Sequence, residues 1–216
     1  MTVKRKIYDL SAPLYNNMPL FPGNIPLNIS KIARPEKEGY GMESYSSSTH
    51  CGTHIDAQSH FIKGGQSVNE IPLDILINRG YVVKPRIEGL EISEKSLKEL
   101  WKDCYDGKTI LINTGWSRKR SFSDTFQKEF PGLSKEAARF VVEKHVKLLG
   151  IDTLGIDPYT KSDFPSHKIL LNGGCCIIED LTNLENLSPD IEYEIIALPL
   201  NILDGSGSMS RVVAIE

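Results

Sequence analysis

The stretch HCGTHIDAQSHF, residues 50–61, is the most informative part of this chain. Three of the protein's five histidines lie within the eleven positions from His50 to His60, and Asp56 lies among them. Even scatter would place about a quarter of one histidine there. Imidazole and carboxylate together are ligands of first-row transition metals such as Zn²⁺, Mn²⁺ or Fe²⁺, rather than of Ca²⁺. The stretch therefore predicts a metal site.

Reach limits how these side chains could share one ion. Two ligand atoms, each about 2 Å from a metal, lie no more than about 4 Å apart. In an extended strand the Cα atoms of His50 and Asp56 would be about 20 Å apart. In a regular helix, Asp56 would project away from His50 and His54. A shared ion therefore requires an irregular bend, and Gly52 can supply the unusual backbone angle.

Histidines also occur in roles that involve no metal. For any one histidine alone, a surface or hydrogen-bonded position is the commoner role. Three imidazoles crowded with a carboxylate have no common purely structural use, so a functional site is favoured for the set. A non-catalytic protein could also use a metal to hold a small carboxylate ligand or a subunit interface. His60, which the metal geometry does not require, favours an enzyme over such a binding protein.

Composition excludes several classes of protein. The 216 residues carry a net charge of −3, which offers no basic face for nucleic acid. The longest apolar run, Ile195–Leu200, is interrupted by Pro199 and is far shorter than the ~20 residues that cross a bilayer. The first residues lack the apolar stretch of a signal peptide, so we expect a cytoplasmic protein without membrane partners.

The elements alternate along the whole chain, which predicts one α/β domain over residues 1–216. Ser93 and Ser134 are expected to cap helices over Glu94–Lys102 and Lys135–Lys144. A short helix after Ser166 is expected to end at two glycines, in the manner of a left-handed C-cap. Strands are predicted over Lys6–Leu10, Gly80–Val83, Thr109–Asn113, Val146–Ile151, Cys175–Ile178, Tyr193–Leu198 and Arg211–Ile215.

Residues 50–61 resemble the signature H-x-G-T-H-x-D-x-P-x-H-F of the cyclase family of metal-dependent hydrolases, which contains bacterial kynurenine formamidases and isatin hydrolases. The likeness covers nearly the whole chain. Asp9-Leu10-Ser11 resembles the family's D-L-S, and Phe21-Pro22-Gly23 its W-P-G. His167 and Glu179-Asp180-Leu181 resemble its H-x-x-L-L…E-x-L. The resemblance implies a mixed β-sheet or barrel-like β core flanked by helices.

The resemblance also implies a site for two metal ions. By it, His50, His54 and Asp56 hold one ion, and Asp56 bridges to a second ion that His167 and Glu179 hold. In the sequence alone His167 and Glu179 look ordinary, so their assignment rests on the family match. Zn²⁺ is the expected cofactor, with one or two ions per subunit, and Mn²⁺ is the alternative.

Hydrolysis of a small amide is the activity that the resemblance implies. N-formylkynurenine, cleaved to kynurenine and formate in tryptophan catabolism, is the first expected substrate, and isatin-type cyclic amides are the alternative. His60 is expected to donate and accept the proton, because an unperturbed imidazole titrates near pH ~6.5. A homodimer or homotetramer is implied as well.

Three departures from the family pattern bear on these expectations. Phe21 stands where a tryptophan commonly lines the substrate pocket, so the aromatic wall is kept but the indole N–H is lost. Gln58 replaces the usual proline, which removes local stiffness but no metal ligand. The segment Asp204–Arg211 differs from the tighter D-G-S-P-x-R of the family.

Overall fold

The computed structural model describes residues 5–216 of the chain. Its strands are β1 (Ile7–Asp9), β2 (Asn28–Ala33), β3 (Met42–Ser46), β4 (His54–Asp56), β5 (Ile77–Val83), β6 (Glu91–Ile92), β7 (Thr109–Ile112), β8 (Gly132–Leu133), β9 (Leu148–Ile151), β10 (Cys176–Glu179), β11 (Tyr193–Pro199) and β12 (Gly207–Ile215). Its α-helices are α1 (Pro35–Glu38), α2 (Leu73–Leu76), α3 (Glu94–Lys98), α4 (Asp124–Lys128), α5 (Lys135–Glu143) and α6 (Pro165–Asn172).

Seven of these strands close into a mixed barrel. They follow the order β12-β11-β5-β7-β9-β10-β4, and β4 pairs back to β12. The run β5-β7-β9-β10 is parallel, and the other pairs in the ring are antiparallel. β1 pairs with the end of β12, while β2 with β3 and β6 with β8 form two small separate sheets. The predicted α/β fold with a barrel-like core flanked by helices is confirmed.

The parallel strands are buried on both faces. Every residue of β7, β9 and β10 is buried, as expected where one face points into a barrel and the other is covered by helices. Leu111 and Ile178 belong to one apolar cluster. Their neighbours Ile110 and Ile177 belong to a second cluster that includes Val141 of α5. This alternation with period two fixes which face of each strand points inward.

The capping serines act as the sequence indicates. Ser93 Oγ accepts a hydrogen bond from the Ser96 N–H at 3.2 Å, and Ser134 Oγ accepts one from the Ala137 N–H at 3.1 Å. Each bond satisfies a donor that the first turn of a helix leaves free. Just after the C-terminus of α6, Gly174 takes a φ of +74°, as the predicted left-handed C-cap requires.

The predicted helix over Glu94–Lys102 is wrong beyond Lys98. The N–H groups of Leu100 and Trp101 bond to carbonyls three residues back rather than four, so the last turn tightens and the helix ends. The Trp101 ring then packs edge-on against Tyr105 at 5.8 Å between centroids. Within residues 5–216, no helix is long and apolar enough to cross a bilayer.

Candidate metal centre

A turn at Gly52 brings His50 beside Asp56. Gly52 has a φ of +60°, in the left-handed region where glycine carries no steric penalty. The chain then enters β4, and His50 Nδ1 lies 2.7 Å from Asp56 Oδ1. A Cβ on residue 52 would lie 2.7 Å from Leu14 Cδ2, so packing also favours glycine. The irregular bend that the ligand spacing requires is therefore present.

Strand pairing places His54, Asp56 and Glu179 on one patch. β4 and β10 run antiparallel, and His54 pairs directly with Glu179. Paired residues carry their side chains on the same face, and so does Asp56, two positions along β4. His54 Nε2 lies 3.6 Å from Glu179 Oε2 and 3.3 Å from Asp56 Oδ1. The register of two short strands thus assembles three of the predicted ligands.

His167 completes the cluster from the first turn of α6. Its Nε2 lies 3.0 Å from Glu179 Oε1 and 3.5 Å from Asp56 Oδ2. Asp56 therefore faces His50 and His54 with one oxygen and His167 with the other. The structure brings together all five side chains that the family resemblance implies as metal ligands.

Each of these three histidines has one ring nitrogen held by a fixed partner and the other directed at the carboxylates. The pairs are His50 Nε2 with Ser206 Oγ at 3.0 Å, His54 Nδ1 with the Gly52 carbonyl at 2.8 Å, and His167 Nδ1 with Asp157 Oδ2 at 2.6 Å. Such outer partners orient the rings of metal-binding histidines and set their tautomers. Nothing in the sequence pointed to Ser206 or Asp157, because each acts through a histidine that is distant in sequence or lies on another element.

The donor set fits a divalent cation. Asp56 is fully buried, yet its Oδ2 has no hydrogen-bond partner within the described chain, which is costly for a carboxylate unless a cation compensates it. The ligand atoms of His54, Asp56 and Glu179 all lie within 4.8 Å of one another, and so do those of His50, Asp56 and His60. Because Asp56 belongs to both groups, it is placed to bridge two ions. His60 belongs to the group with His50 and Asp56, so its ring also lies within reach of an ion bound by that group.

The carboxylates control the charge of the facing histidines. Burial opposes a charge on His54, but the hydrogen bond and charge of Asp56, together with Glu179, raise the pKa of His54 to about 9. Burial opposes a charge on His167 as well, but the charge of Glu179, the hydrogen bond to Asp157 and the nearby carboxylate of Asp56 raise the pKa of His167 above its usual value. The cluster therefore favours positive charge at this point, whether as protons or as a metal ion.

His60 differs from the three histidines expected to bind metal, His50, His54 and His167. It ends a single turn of 3₁₀-helix, Gln58–His60, and its ring stacks on His50 with 3.9 Å between centroids. Burial lowers the pKa of His60 to about 4, so the ring is neutral near pH 7. Neither ring nitrogen is hydrogen-bonded to another described residue, which leaves both free for a substrate or water molecule.

Gln58 braces the turn that carries His60. Its Nε2 donates to the Leu171 carbonyl at 3.0 Å, and its Oε1 accepts from the Gln66 N–H at 3.1 Å. The side chain thus ties the turn both to α6 and to the following loop. These two bonds supply the local stiffness that the missing proline would otherwise give.

A cavity of about 260 Å³ opens above the cluster. Apolar and polar side chains both line it. The apolar side chains are Leu20, Phe21, Phe61, Leu154 and Phe164, and the polar ones include His50, His54, His60, His167, Glu179 and Asp180. Phe21 packs against Tyr159 and Phe164. It is therefore part of the wall, and its contact with a substrate stays a prediction. A small cavity with this mixed lining suits a small ring compound that also carries a polar group.

Known proteins resemble this chain in sequence and in fold. Residues 8–158 match the family model described as putative cyclase. The kynurenine formamidase of Bacillus cereus is 31% identical over 207 residues, which cover 95% of each chain. Isatin hydrolase A from Labrenzia aggregata, solved with benzyl benzoate, has a TM-score of 0.84 and 26% identity, covering 98% of this chain and 93% of its own. A predicted metal-dependent hydrolase from Bacillus stearothermophilus has a TM-score of 0.82 and 27% identity, covering 99% of both chains.

Proposed function

The chain belongs to the cyclase family, and we propose that it is a metal-dependent amidohydrolase that cleaves N-formylkynurenine to kynurenine and formate. Hydrolysis of a small amide agrees with the kynurenine formamidase that is 31% identical over 95% of this chain. One observation carries the proposal. Three imidazoles and two carboxylates converge beside a cavity whose lining also includes aromatic and aliphatic side chains.

The metal would be held by His50, His54 and Asp56 on one side, and by Asp56, His167 and Glu179 on the other. Zn²⁺ suits such a mixture of nitrogen and oxygen ligands best, and Mn²⁺ is the alternative. When bound, the cation supplies Lewis-acid activation of a water molecule and of the amide carbonyl. The unpaired Oδ2 of buried Asp56 supports this assignment.

His60 is the residue proposed to move the proton. Cleavage breaks the amide C–N bond, adds the hydroxyl of water to the formyl carbon and leaves the amine short of one proton. The His60 ring is neutral, stacked in place on His50 and free of hydrogen bonds to other described residues. It can therefore accept a proton from water and pass it to the leaving nitrogen. Phe21 and Phe61 line the cavity, and in this proposal they contact the aryl ring of the substrate.

Isatin-type cyclic amides are the second candidate substrates. The TM-score of 0.84 to an isatin hydrolase favours them, and the small apolar cavity would admit a fused ring. In such a substrate the ring amide opens to an amino acid, and no formate is released. The chemistry at the metal centre is otherwise the same, so the two candidates differ in the fit of the substrate.

Metal analysis joined to a substrate panel tests the function. The purified protein is assayed with N-formylkynurenine, isatin and formanilide, as isolated, after removal of metal by a chelator, and after return of Zn²⁺ or Mn²⁺. We expect N-formylkynurenine to be cleaved with the highest kcat/KM, and cleavage to be lost with the metal and restored by it. If the protein holds metal but cleaves no amide, it is a binding protein.

A further inference from the structure

Phe164 occupies the N-cap position of α6, where phenylalanine is unusual. An N-cap residue is most often Ser, Thr, Asp, Asn or Gly. Phe164 forms no side-chain cap hydrogen bond, and Pro165 follows it as the first residue of the helix. Asp157 satisfies the first turn instead, because its carboxylate accepts from the N–H groups of Ser166 at 2.7 Å and of His167 at 3.0 Å. Helix capping therefore does not explain the residue at position 164.

The backbone of Phe164 is held in an uncommon conformation. Its φ is +48° and its ψ is 54°, in the left-handed region, whereas a residue before proline is normally extended. The Phe164 N–H donates to the Lys161 carbonyl at 3.1 Å, and the Phe164 carbonyl accepts from the Lys168 N–H at 3.2 Å. Glycine would take this conformation at lower cost. Side chains kept at such positions are commonest at active sites and ligand sites.

The ring of Phe164 belongs to the wall of the cavity beside the metal centre. The residue is half-buried rather than fully covered, and it lines this cavity. The centroid of its ring lies 6.1 Å from that of Phe21, 5.4 Å from that of Phe61 and 5.8 Å from that of His167. Phe164 therefore packs against both other phenylalanines of the wall and against a proposed metal ligand.

We propose that Phe164 is a specificity-determining residue whose ring contacts the substrate and selects aryl amides over alkyl amides. This inference rests on the proposed function and deepens it, since it assigns the choice of substrate class to one side chain. Aromatic rings attract one another beyond the effect of buried area, and a saturated ring of the same size lacks that attraction. The uncommon backbone conformation agrees with this role, because it is kept for a residue that adds a third aromatic ring to the wall.

Three hydroxamates that share one metal-binding group test the ring contact. Benzohydroxamate carries an aryl ring, cyclohexanecarbohydroxamate carries a saturated ring of the same size, and acetohydroxamate carries no ring. Calorimetry measures the Kd of each compound for the metal-loaded protein, without any need for turnover. We expect the wild type to bind benzohydroxamate about 5–10-fold more tightly than the saturated compound. Comparing this ratio between variants cancels any intrinsic difference between the compounds.

Phe164→Gly separates the ring from the backbone. Glycine suits a φ of +48° but removes the ring, so a purely structural role would leave the preference for the aryl compound intact, whereas the proposed contact predicts its loss. Phe164→Leu keeps apolar bulk and should also lose the preference, while Phe164→Tyr keeps the ring and should retain it. The Kd of acetohydroxamate, which has no ring, should change little in all three. An unchanged preference in Phe164→Gly would overturn the role of Phe164.

Phe122→Ala is the matched control. Phe122 is 66% exposed and does not line this cavity, so its variant should keep the preference of the wild type. Loss of the preference in this control as well would overturn its assignment to Phe164.

The wild type alone decides the proposal if the Phe164 variants fail to fold. Equal Kd values for benzohydroxamate and the saturated compound would refute the inference without any variant. Binding of acetohydroxamate supports the metal centre independently of Phe164, because this compound has no ring. Failure of all three compounds to bind would refute the proposed metal-dependent function instead.

Discussion

His50 and His167 lie on opposite sides of Asp56 and are held in different ways. His50 lies on the loop before β4, and a neutral hydroxyl, Ser206 Oγ, holds its outer nitrogen at 3.0 Å. His167 lies on α6, and the carboxylate of Asp157 holds its outer nitrogen at 2.6 Å. A charged partner forms the stronger hydrogen bond and makes the imidazole a more basic ligand.

We call His167 with its partner Asp157 the helix half of the centre, and His50 with its partner Ser206 the loop half. The helix half is also fixed by its backbone. Asp157 accepts the N–H groups of Ser166 at 2.7 Å and of His167 at 3.0 Å, so one carboxylate both caps the start of α6 and orients the ring. The loop half depends on the turn at Gly52 instead. The helix half is therefore rigid, whereas the loop half is easier to disturb. Substitutions in the two halves should therefore differ in how much metal affinity and stability they cost.

The largest effect is expected from Asp56→Asn, since Asp56 is shared by both halves. The variant removes the negative charge that faces His50 with one oxygen and His167 with the other. Metal content should fall on both sides, and turnover should fall by more than the roughly 10²–10⁴-fold that loss of a proton-transfer group costs. Elemental analysis and kcat with N-formylkynurenine measure this. Retention of full metal content would show that the two halves bind independently of Asp56.

His60→Ala separates proton transfer from metal binding. We expect kcat to fall by roughly 10²–10⁴-fold while the metal content is unchanged. The measurement is single-turnover kinetics beside elemental analysis of the same sample. A ring nitrogen of His60 also lies close enough to the ligand atoms of His50 and Asp56 for all three to bind one ion. Loss of one ion per chain in this variant would make His60 a ligand of the loop half rather than the proton carrier.

Asp157→Asn and Ser206→Ala compare the two outer partners directly. Asp157→Asn keeps a hydrogen-bonding side chain but removes the charge, and loss of such a partner weakens metal affinity by about 10–100-fold. Ser206→Ala removes a neutral bond and should weaken affinity less. Competition with a fluorescent zinc chelator gives both values. Equal losses, or a larger loss with Ser206→Ala, would contradict the proposed difference between the halves.

The smallest effect is expected from Gly52→Ala. Its backbone lies at φ +60°, which costs an alanine about 1–2 kcal/mol. The new Cβ would also meet Leu14 Cδ2 at 2.7 Å, the end of an exposed side chain that can move. Thermal unfolding should shift down by about 2–8 °C in Tm.

Gly89→Ala is the control for Gly52→Ala. Gly89 has a similar φ of +63°, and no atom lies within 4 Å of the position a Cβ would take. Its Tm should fall by a similar or smaller amount, since only the backbone cost applies. Metal affinity should drop in Gly52→Ala alone, because Gly89 lies far along the chain from the loop half. An unchanged affinity in both variants would mean that the turn does not position His50.

The sequence predicted the metal-binding loop and the starts of two helices. The spacing of His50, His54 and Asp56 with Gly52 between them predicted a bent metal-binding loop, because ligands this close in sequence can reach one ion in few backbone conformations. Ser93 and Ser134 predicted the starts of α3 and α5, because a serine cap acts on N–H groups two or three residues away. The family resemblance placed His167 and Glu179.

Local sequence did not predict the strands that are rich in polar or exposed residues. His54–Asp56 became β4 although it has little of the apolar alternation of a strand, since its partners β10 and β12 supply the hydrogen bonds. β2 was missed for a related reason, because most of its positions are exposed. Strand pairing depends on residues distant in sequence, so it cannot be predicted from a short polar segment alone.

The chain by itself determined which side chains could bind a metal, where the helices begin and that the protein has an α/β fold. Tertiary structure alone decided that Asp157 holds His167, that Ser206 holds His50 and that Asp180 pairs with Arg120. The physical reason is reach. Caps and turns act over a few residues, whereas the outer hydrogen bonds of this site join groups that only the closed barrel and its covering helix bring within 3 Å of one another.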